Sequence, residues 1–563
     1  MEFLIGTGKS TIKCFKTDIG MMGYGMSANT VHSSATDLFS RAIWIKDKTG
    51  NVFVYVCVEI CFITPAIRRE ILIKMHNELR ADFIDANVMI SAQHTHAAPG
   101  GYSEYALYNF SIPGFQQEVF DSIVSGIFES VKQASLQLKE SDIDFVEGEV
   151  DKKMAWNRSL KAYNQNAENK LVSKENAHEA IDARMRMMRI IQNGVVCAQV
   201  NWFGVHATCI GKYNHHISSD NKGYAADYFE KKGRKLGIFA QGLSGDVSPY
   251  YHGPGDLNKR RSNSGQLEHD FARVNGEMQA AEAEKIFEMP CTEIIKGCID
   301  GEIVNHNFAE IHVDKQFANG FENAKTGQAC LGVSFFNGTR IDGRGLSNIL
   351  NTTAKFLSSV LKYYHCLSLP FKSKERQIIW KEKYRVQGKK KILMDAHEHR
   401  ILGTTNIKRL IIPRFADPTI AEIKREHVND AYHEHSWMPH ILPIQIIRIG
   451  KLAFIGCPGE YTVTAGRRLE DTILNVLKEA GIEHVIMCPF SNAYMGYVTT
   501  FEEYQLQGYE AGHTVFGQWT LGAFQTKFTE LAQEMIKAKA DRKIDNTVCP
   551  VAFSKDELSK RTY

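Results

Sequence analysis

The sequence has few cysteines, no long apolar run and no excess of either charge. Its 563 residues include 12 cysteines, too few for the disulfide scaffold of a small secreted domain. Lys and Arg number 67 against 64 Asp and Glu, which gives a net charge of +3. This balance provides no global attraction to nucleic acid or to an anionic membrane. The composition therefore argues against a disulfide-rich scaffold and against a nucleic-acid-binding protein.

Targeting and membrane-spanning patterns are also missing. The first residues, MEFLIGTGKSTIKC, contain one apolar stretch of residues 3–5, whereas a signal sequence needs about 7–15 apolar residues. The longest apolar run, residues 52–63, is interrupted by Glu59 and is shorter than the roughly 20 residues of a spanning helix. We therefore expect a protein without a spanning helix and, by default, a cytoplasmic one.

Strand and helix patterns alternate along the chain. Val52–Val58 is rich in β-branched residues, as in a buried strand, and apolar residues between 119 and 131 recur at helical spacing. Asn193-Gly194 lies between two apolar runs, which indicates a hairpin because both turn positions need a positive φ. These patterns predict an α/β (mixed α+β) fold with mixed sheets flanked by helices.

The domain organisation follows from the absence of repeats and linkers. We predict one large catalytic domain over residues 1–540, with no immunoglobulin-like domain after it. Residues 300–430 lie within this domain but have no pattern that places them. Residues 541–563 are mostly polar, and we expect a C-terminal tail there.

Polar residues with metal-binding side chains follow several predicted strands. His94 and His96 come after the strand at 87–92, His206 follows the second arm of the hairpin, and Glu460 follows an apolar run that ends at 457. Tyr494 and Tyr497 occupy a similar position after a fourth strand. Two histidines and one carboxylate are the ligands of many catalytic zinc sites. The His94-Thr95-His96 pattern alone is also compatible with a hydrogen-bonded structural pair.

Other motifs are less informative. We interpret His397–His399 and His433–His435 as surface histidines, because no apolar strand precedes them. Gly6–Ser10 (GTGKS) resembles the end of a phosphate-binding loop but lacks its first glycine, since residue 3 is Phe, and we therefore expect no nucleotide binding. Ser248, in Asp246-Val247-Ser248-Pro249, is either a nucleophile or part of a turn that bonds to the backbone.

Residues 372–391 contain nine basic and two acidic residues. A charge run of this kind is usually a solvated loop. The alternative is an interfacial patch that meets anionic lipid head groups, so peripheral contact with a membrane surface remains an open hypothesis.

Several long motifs resemble the neutral ceramidase family. They occur in the order in which that family has them and cover roughly residues 17–270 and 440–535. They are GMMGYGM, NVMISAQHTHAAPGGY, WNRS, NWFGVHATCIG with SSDNKGYAADYFE, QGLSGDVSP, CPGEYTVTAGRRL and NAYMGYVTTFEEYQLQGYEAG.

The resemblance implies an enzyme that hydrolyses the amide of ceramide to sphingosine and a fatty acid at a zinc site. The implied Zn²⁺ ligands are His94, His206, Glu460 and Tyr497. The residues implied around the scissile amide are His96, Arg158, Tyr509 and Ser248, the last as a nucleophile or in a supporting role.

The sequence departs from the family pattern at Ala97-Ala98, where the family usually has Ser-Gly. Two alternatives to ceramide hydrolysis remain open. One is a zinc amidase for other N-acyl lipids or N-acyl amino compounds. The other is a non-catalytic lipid-binding relative, which would not need the complete set of metal ligands.

Overall fold

The computed structural model describes most of the chain. The described residues are 1–79, 81–249, 266–291, 294–339, 341–404 and 435–561. None of the helices within these ranges combines the length and the apolar character needed to cross a membrane.

Helices and strands alternate, as the sequence patterns predict. The strands of the two main sheets are β1 Phe3–Thr11, β2 Phe39–Asp47, β3 Val52–Val58, β4 Val88–Ala92, β5 Lys139–Glu149, β6 Arg184–Gln192, β7 Val195–Phe203, β8 Leu236–Gln241, β9 Ile299–Asn307, β10 Ile441–Ile449, β11 Leu452–Gly456 and β12 His484–Cys488. The helices are α1 Pro65–Glu78, α2 Gln117–Leu136, α3 Leu160–Tyr163, α4 Asp220–Lys231, α5 Gln266–Phe287, α6 Val333–Phe336, α7 Asn348–Ser368, α8 Lys374–Gln387, α9 Val463–Leu477, α10 Phe501–Gln505, α11 Tyr509–Gly512, α12 Thr520–Ile536 and α13 Lys555–Lys560.

Both main sheets are mixed. The eight-stranded sheet has the order β8-β7-β6-β5-β1-β2-β3-β4, and the four-stranded sheet has the order β9-β10-β11-β12. Three neighbouring pairs are parallel, namely β3 with β4, β7 with β8, and β11 with β12. A parallel pair needs a crossover connection, and α1, α4 and α9 lie in these three connections.

The two sheets pack face to face between outer layers of helices. Phe53 of β3 and Trp202 of β7 contact Phe454 of β11, with ring centroids 5.4 Å apart in both pairs. The opposite face of the eight-stranded sheet is covered by α1 and α2 at one end and by α4 and α5 at the other. Helices α9 and α12 cover the four-stranded sheet. The predicted mixed sheets flanked by helices are therefore confirmed.

Local expectations are confirmed at the hairpin and wrong at the basic segment. Asn193 and Gly194 have φ values of 53° and 77° and connect β6 to β7. Most of residues 372–391 is helix α8, whose N-terminus is capped by the Ser373 hydroxyl. The solvated loop expected there is therefore incorrect, because the cap and the helical pairing satisfy the backbone.

Two further segments bear on the sequence predictions. The GTGKS motif lies inside β1, where the extended backbone cannot form a phosphate-binding loop. In the segment expected to be a polar tail, Phe553 and Leu558 are buried in the same core as α1 and α2. That segment therefore packs against the rest of the chain over part of its length.

A buried ion pair connects the eight-stranded sheet to helix α4. Arg41 of β2 bonds to Glu59, which follows β3, and to Glu230 of α4. Arg41 and Glu59 are both buried, so neither charge can be compensated by water. The pair ties two strands of the eight-stranded sheet to the crossover helix beside it.

We expect Arg41→Ala to lower the free energy of unfolding by about 3–5 kcal/mol, because the Glu59 carboxylate would remain buried without its partner. Lys231→Ala is the control, since Lys231 pairs with Asp227 at the surface, and its loss should cost about 1 kcal/mol or less. Urea unfolding monitored by circular dichroism measures both. Equal losses of the free energy of unfolding in the two variants would contradict the stabilising role of the buried Arg41–Glu59 pair.

Candidate active site

Four loops that follow strands of the parallel pairs meet at one end of the two sheets. His94 follows β4, His206 follows β7, Glu460 follows β11 and Tyr497 follows β12. Loops at the carboxyl ends of parallel strands are a common location of binding sites in α/β proteins. The structure thus brings together four side chains that are far apart in sequence.

His94, His206 and Glu460 form a buried group whose ligand atoms lie within 4.8 Å of one another. Nε2 of His206 lies 2.9 Å from Oε2 of Glu460, and Nε2 of His94 lies 3.4 Å from Oε1. The hydroxyl of Tyr494 also contacts Oε1. The carboxylate therefore lies between two imidazoles and is almost fully buried.

The outer nitrogens of both imidazoles determine which atoms face the centre. Nδ1 of His94 lies 2.7 Å from the Cys61 carbonyl oxygen, and Nδ1 of His206 lies 2.7 Å from the Ser244 carbonyl oxygen. A carbonyl only accepts, so each Nδ1 carries a hydrogen, and in the neutral imidazole Nε2 then presents a lone pair. Backbone carbonyls commonly orient metal-ligating histidines in this way.

These lone pairs make the group suitable for a cation. Two Nε2 lone pairs and the Glu460 carboxylate face one point, and Oε2 of Glu460 accepts no hydrogen bond within the described part of the chain. Burial lowers the pKa of His94 to about 4, so its imidazole is neutral at pH 7. Converging acceptors with no proton between them require a positive charge, and the N and O atoms suit zinc.

Tyr497 is next to this group because of a short strand pair. Glu460–Tyr461 and Tyr497–Val498 pair in parallel, with Glu460 directly opposite Tyr497. The Tyr497 hydroxyl lies 3.2 Å from Nε2 of His206. The fourth side chain implied by the resemblance is therefore within reach of the same centre.

His96 and Cys61 border the group on the other side. Nε2 of His96 lies 3.1 Å from Nε2 of His94, and the His96 ring contacts the Tyr24 ring at 4.8 Å between centroids. Cys61, His94 and His96 are also close enough to hold an ion. That arrangement is less suitable, because the His94 nitrogen nearest to the thiol already donates to a carbonyl.

Arg158 connects the histidine–carboxylate group to two further carboxylates. Its guanidinium donates to the Tyr497 hydroxyl at 3.0 Å, to Asp342 at 3.0 Å and to Glu510 at 3.0 Å. It also donates to the Gly245 carbonyl at 2.8 Å. The side chain is therefore held from several directions and faces the cavity beside Tyr497.

Ser248 and Asp246 have different surroundings despite their proximity in sequence. The buried Ser248 hydroxyl donates to Asp342 at 2.7 Å. Asp246 accepts from the backbone N–H of Val463 at 2.9 Å and from the Asn157 amide at 2.7 Å, so it caps the first turn of α9. Burial raises the pKa of Asp246 to about 6.

A cavity of about 380 Å³ reaches this centre from the surface. Tyr509 lines it and lies against Tyr497, with ring centroids 5.5 Å apart, while the Arg158 guanidinium carbon is 5.4 Å from the Tyr509 ring centre. The remaining wall is mainly apolar. It includes Phe62, Leu107, Phe110, Phe335, Phe336, Leu393, Met394 and Ile401.

Several of the residues in the site escaped the sequence patterns. Asp342 comes from the segment that no pattern could place, and Glu510 lies inside the motif that ends in GYEAG but was assigned no role there. Asp342 reaches the site through a small hairpin, Gly338–Thr339 with Gly343–Arg344. A lone carboxylate in a Gly-containing turn has no sequence signal for this role.

The other histidine clusters do not join the centre. Both groups with metal-binding geometry among the described residues contain His94. His399 contacts the His435 carbonyl, and His397 is exposed. His433 and Glu434 lie outside the described residues, so that motif is only partly tested.

Comparison with known proteins gives one family. The family model described as neutral/alkaline non-lysosomal ceramidase, N-terminal, matches residues 3–412 and 422–526. The neutral ceramidase of Pseudomonas aeruginosa is 30% identical over 540 residues, which cover 94% of this chain and 72% of that protein. Neutral ceramidase B of Dictyostelium discoideum is 29% identical over 604 residues, covering 100% and 75%.

Solved structures agree with this result. The crystal structure of neutral ceramidase from Pseudomonas aeruginosa matches with a TM-score of 0.76 and 28% identity, covering 98% of this chain and 78% of that one. A structure described as ceramidase complexed with C2 matches with a TM-score of 0.77 and 29% identity, covering 98% and 79%.

We expect Gly496→Ala to destabilise the protein by about 2 kcal/mol more than Gly481→Ala. Both glycines have a positive φ, of 96° and 78°, but a Cβ at 496 would lie 2.7 Å from the His513 ring, whereas a Cβ at 481 would meet open space. Overpacking of this kind costs about 1–3 kcal/mol. Urea unfolding compares the two variants, and equal losses would show that the loop carrying Tyr497 adapts without strain.

Proposed function

Because the chain belongs to the neutral/alkaline non-lysosomal ceramidase family, we propose that it is a zinc-dependent ceramidase. It hydrolyses the N-acyl amide of ceramide, releasing sphingosine and a fatty acid. The observation that carries the zinc part is the convergence of two Nε2 lone pairs and the Glu460 carboxylate at the end of an apolar cavity.

His94, His206, Glu460 and Tyr497 would hold the ion. Zinc bound there makes a water-derived nucleophile available at neutral pH and polarises the amide carbonyl. The Cys61 and Ser244 carbonyls hold the two imidazoles in the tautomer that directs Nε2 inward. Tyr494 holds the Glu460 carboxylate through its hydroxyl.

The remaining polar residues suit the transition state of amide hydrolysis. Arg158 and Tyr509 line the cavity beside Tyr497, where N–H and O–H donors can stabilise an oxygen that gains negative charge. His96 lies next to His94, and we assign to it proton delivery to the leaving amine. Ser248 is fully buried and does not line the cavity, which supports a positioning role through its hydrogen bond to Asp342.

The cavity favours a lipid substrate over a small polar amide. Its wall is formed mainly by aromatic and aliphatic side chains, and the charged residues Glu460 and Arg158 lie together beside Tyr497. An acyl chain can therefore occupy the apolar part while the amide reaches the polar end. A ceramide has both an acyl chain and the amide to which that chain is attached.

Removal of the proposed ligands should abolish metal binding. We expect His206→Ala and Glu460→Gln to reduce the zinc content from about one ion per chain to a small fraction of that, because each change removes one of the converging lone pairs. His397→Ala, from an exposed histidine cluster, is the control and should retain the metal. Elemental analysis after dialysis measures this, and full retention in both ligand variants would refute the assignment.

The substrate is tested on the unaltered protein. We expect fatty-acid release from ceramide and its loss after treatment with a strong chelator, with recovery when zinc is added back. Liquid chromatography with mass spectrometry of the products provides the measurement. Cleavage of an N-acyl amino acid together with no action on ceramide would favour the amidase alternative.

Tyr509→Phe should lower kcat by about 100-fold, because a lost oxyanion donor typically has an effect of that size. KM and zinc content should change little, since the hydroxyl would act only in the transition state. Tyr504→Phe is the matched control: its buried hydroxyl donates to the Gln387 carbonyl at 3.0 Å, away from the cavity lining. A Tyr509→Phe enzyme with the parental kcat would exclude the proposed role. Arg158→Ala is less suitable, because it also leaves Asp342 and Glu510 without their partner.

A further inference from the structure

Helix α7 exposes a continuous apolar stripe on its outer face. The stripe consists of Ile349, Phe356, Val360, Tyr363 and Leu367, which are 48–79% exposed. Their spacings of seven, four, three and four residues place them on one side of a helix. An amphipathic helix normally turns its apolar face toward the core, but this stripe of α7 faces outward.

A neighbouring face of α7, about a quarter turn away from the stripe, forms part of the cavity wall. Leu350, Ala354 and Leu357 line the cavity that leads to Glu460. Leu357 is also 43% exposed, so the cavity opens at the surface next to the stripe. One helix therefore has apolar residues both toward the cavity and toward the outside.

The apolar surface continues beyond the helix. Phe371, in the turn between α7 and α8, is 88% exposed, and Ile378 of α8 is 67% exposed. Together with the stripe they form what we call the α7–α8 face. Contiguous exposed apolar patches of this kind commonly mark an interaction site on a protein or a membrane.

The charges on the α7 side of the α7–α8 face are positive, whereas Glu375, exposed three residues before Ile378, adds a negative charge on the α8 side. Residues 345–374 contain four Lys residues and no Arg, Asp or Glu. Farther along, part of the positive charge of the basic segment is neutralised within the protein, because Arg376 and Lys383 pair with Glu398 and Lys390 is buried against two backbone carbonyls. Lys381, Lys389 and Lys391 are exposed, so positive charge lies beside the apolar stripe and continues past it.

We propose that the α7–α8 face inserts into the interface of an anionic lipid bilayer, with the mouth of the cavity directed at the membrane. Aromatic and aliphatic residues on one side of a helix, flanked by lysines, are typical of helices that lie in the membrane interface. Tyr363 and Phe371 suit the boundary between head groups and acyl chains. The inference rests on the proposed function for the identity of the lipid that enters, but not for the binding itself.

A second copy of the chain is a less suitable occupant. Symmetric pairing of this face would bring the same basic residues of two copies together, and their repulsion would oppose the association. An anionic membrane satisfies the apolar stripe and the flanking positive charges at once. A lipid chain that enters the cavity beside Leu357 would also come from an apolar phase, which a membrane provides.

The first experiment measures binding to vesicles without ceramide. We expect the double variant Phe356→Ser/Phe371→Ser to bind vesicles of phosphatidylcholine with phosphatidylserine at least about tenfold more weakly than the parent, because two large apolar side chains no longer leave water. Leu136→Ser/Leu171→Ser is the matched control, with side chains 75% and 76% exposed elsewhere on the surface. Cosedimentation measures binding, and the parental affinity should also fall with increasing salt.

The second experiment separates membrane contact from catalysis. With a soluble short-chain ceramide, kcat/KM of the Phe356→Ser/Phe371→Ser variant should stay within about twofold of the parent, since neither side chain lines the cavity. With ceramide in vesicles it should fall by at least about tenfold, in step with binding. A parent that cleaves neither substrate would refute the proposed function, while the vesicle-binding result would still decide the present proposal.

A third measurement leaves the apolar face unchanged and replaces the exposed cysteines other than the labelled one, among Cys291, Cys298, Cys366 and Cys549, by Ser. Cys366 is exposed on α7, so an environment-sensitive fluorophore on it should shift to shorter wavelength when vesicles are added. A label on Cys549, another exposed cysteine, should not respond. Unchanged vesicle binding of the α7–α8 variant, or equal responses of both labels, would overturn the proposal. A parental dimer that the same variant dissociates in ultracentrifugation, without an effect on vesicles, would assign the face to a second copy instead.

Discussion

The buried carboxylate of Glu460 determines the arrangement of the site around it. A carboxylate out of water needs donors or a cation, yet its two nearest imidazoles are turned so that their hydrogens point away, toward backbone carbonyls. Tyr494 supplies one donor, and Tyr497 is placed opposite Glu460 by strand pairing. The loops that follow four strands must meet at Glu460. The face-to-face packing of the two sheets brings these loops together, because two of the four strands belong to each sheet.

The second constraint is the charge on Arg158. This guanidinium is surrounded by Asp342, Glu510 and the Tyr497 hydroxyl, so its positive charge is balanced on one side by fixed carboxylates. The balance lets an arginine remain buried beside a prospective cation site, where two positive charges would otherwise repel each other. Asp342 also receives the Ser248 hydroxyl. One carboxylate from the middle of the chain therefore orients both an arginine and a serine of the site.

The sequence allowed much of this fold to be predicted, but not all of the site. Strand patterns were readable because buried strands such as Val52–Val58 are uniformly apolar, and the Asn193-Gly194 hairpin was readable because its φ angles restrict the residue types. His94, His206 and Glu460 could be nominated as residues that follow strands. Tyr494 and Tyr497 could be noted as residues after a fourth strand, but the choice of Tyr497 as a ligand came only from family resemblance, since its proximity to Glu460 comes from a two-residue strand pair. Asp342 had no signal, because its position depends on tertiary packing of a short hairpin.

Helix α7 shows a different limit of sequence analysis. Its apolar residues fall on two faces, and a pattern of apolar spacing alone cannot tell which face meets the protein. Only the structure shows that Leu350 and Leu357 face the cavity while Phe356 and Val360 face outward. Transfer of several such side chains out of water contributes a free energy on the order of 1 kcal/mol or more for each one. A lipid chain that lies along the cavity wall past Leu357 would then remain in apolar surroundings, with its amide at the polar end near Glu460.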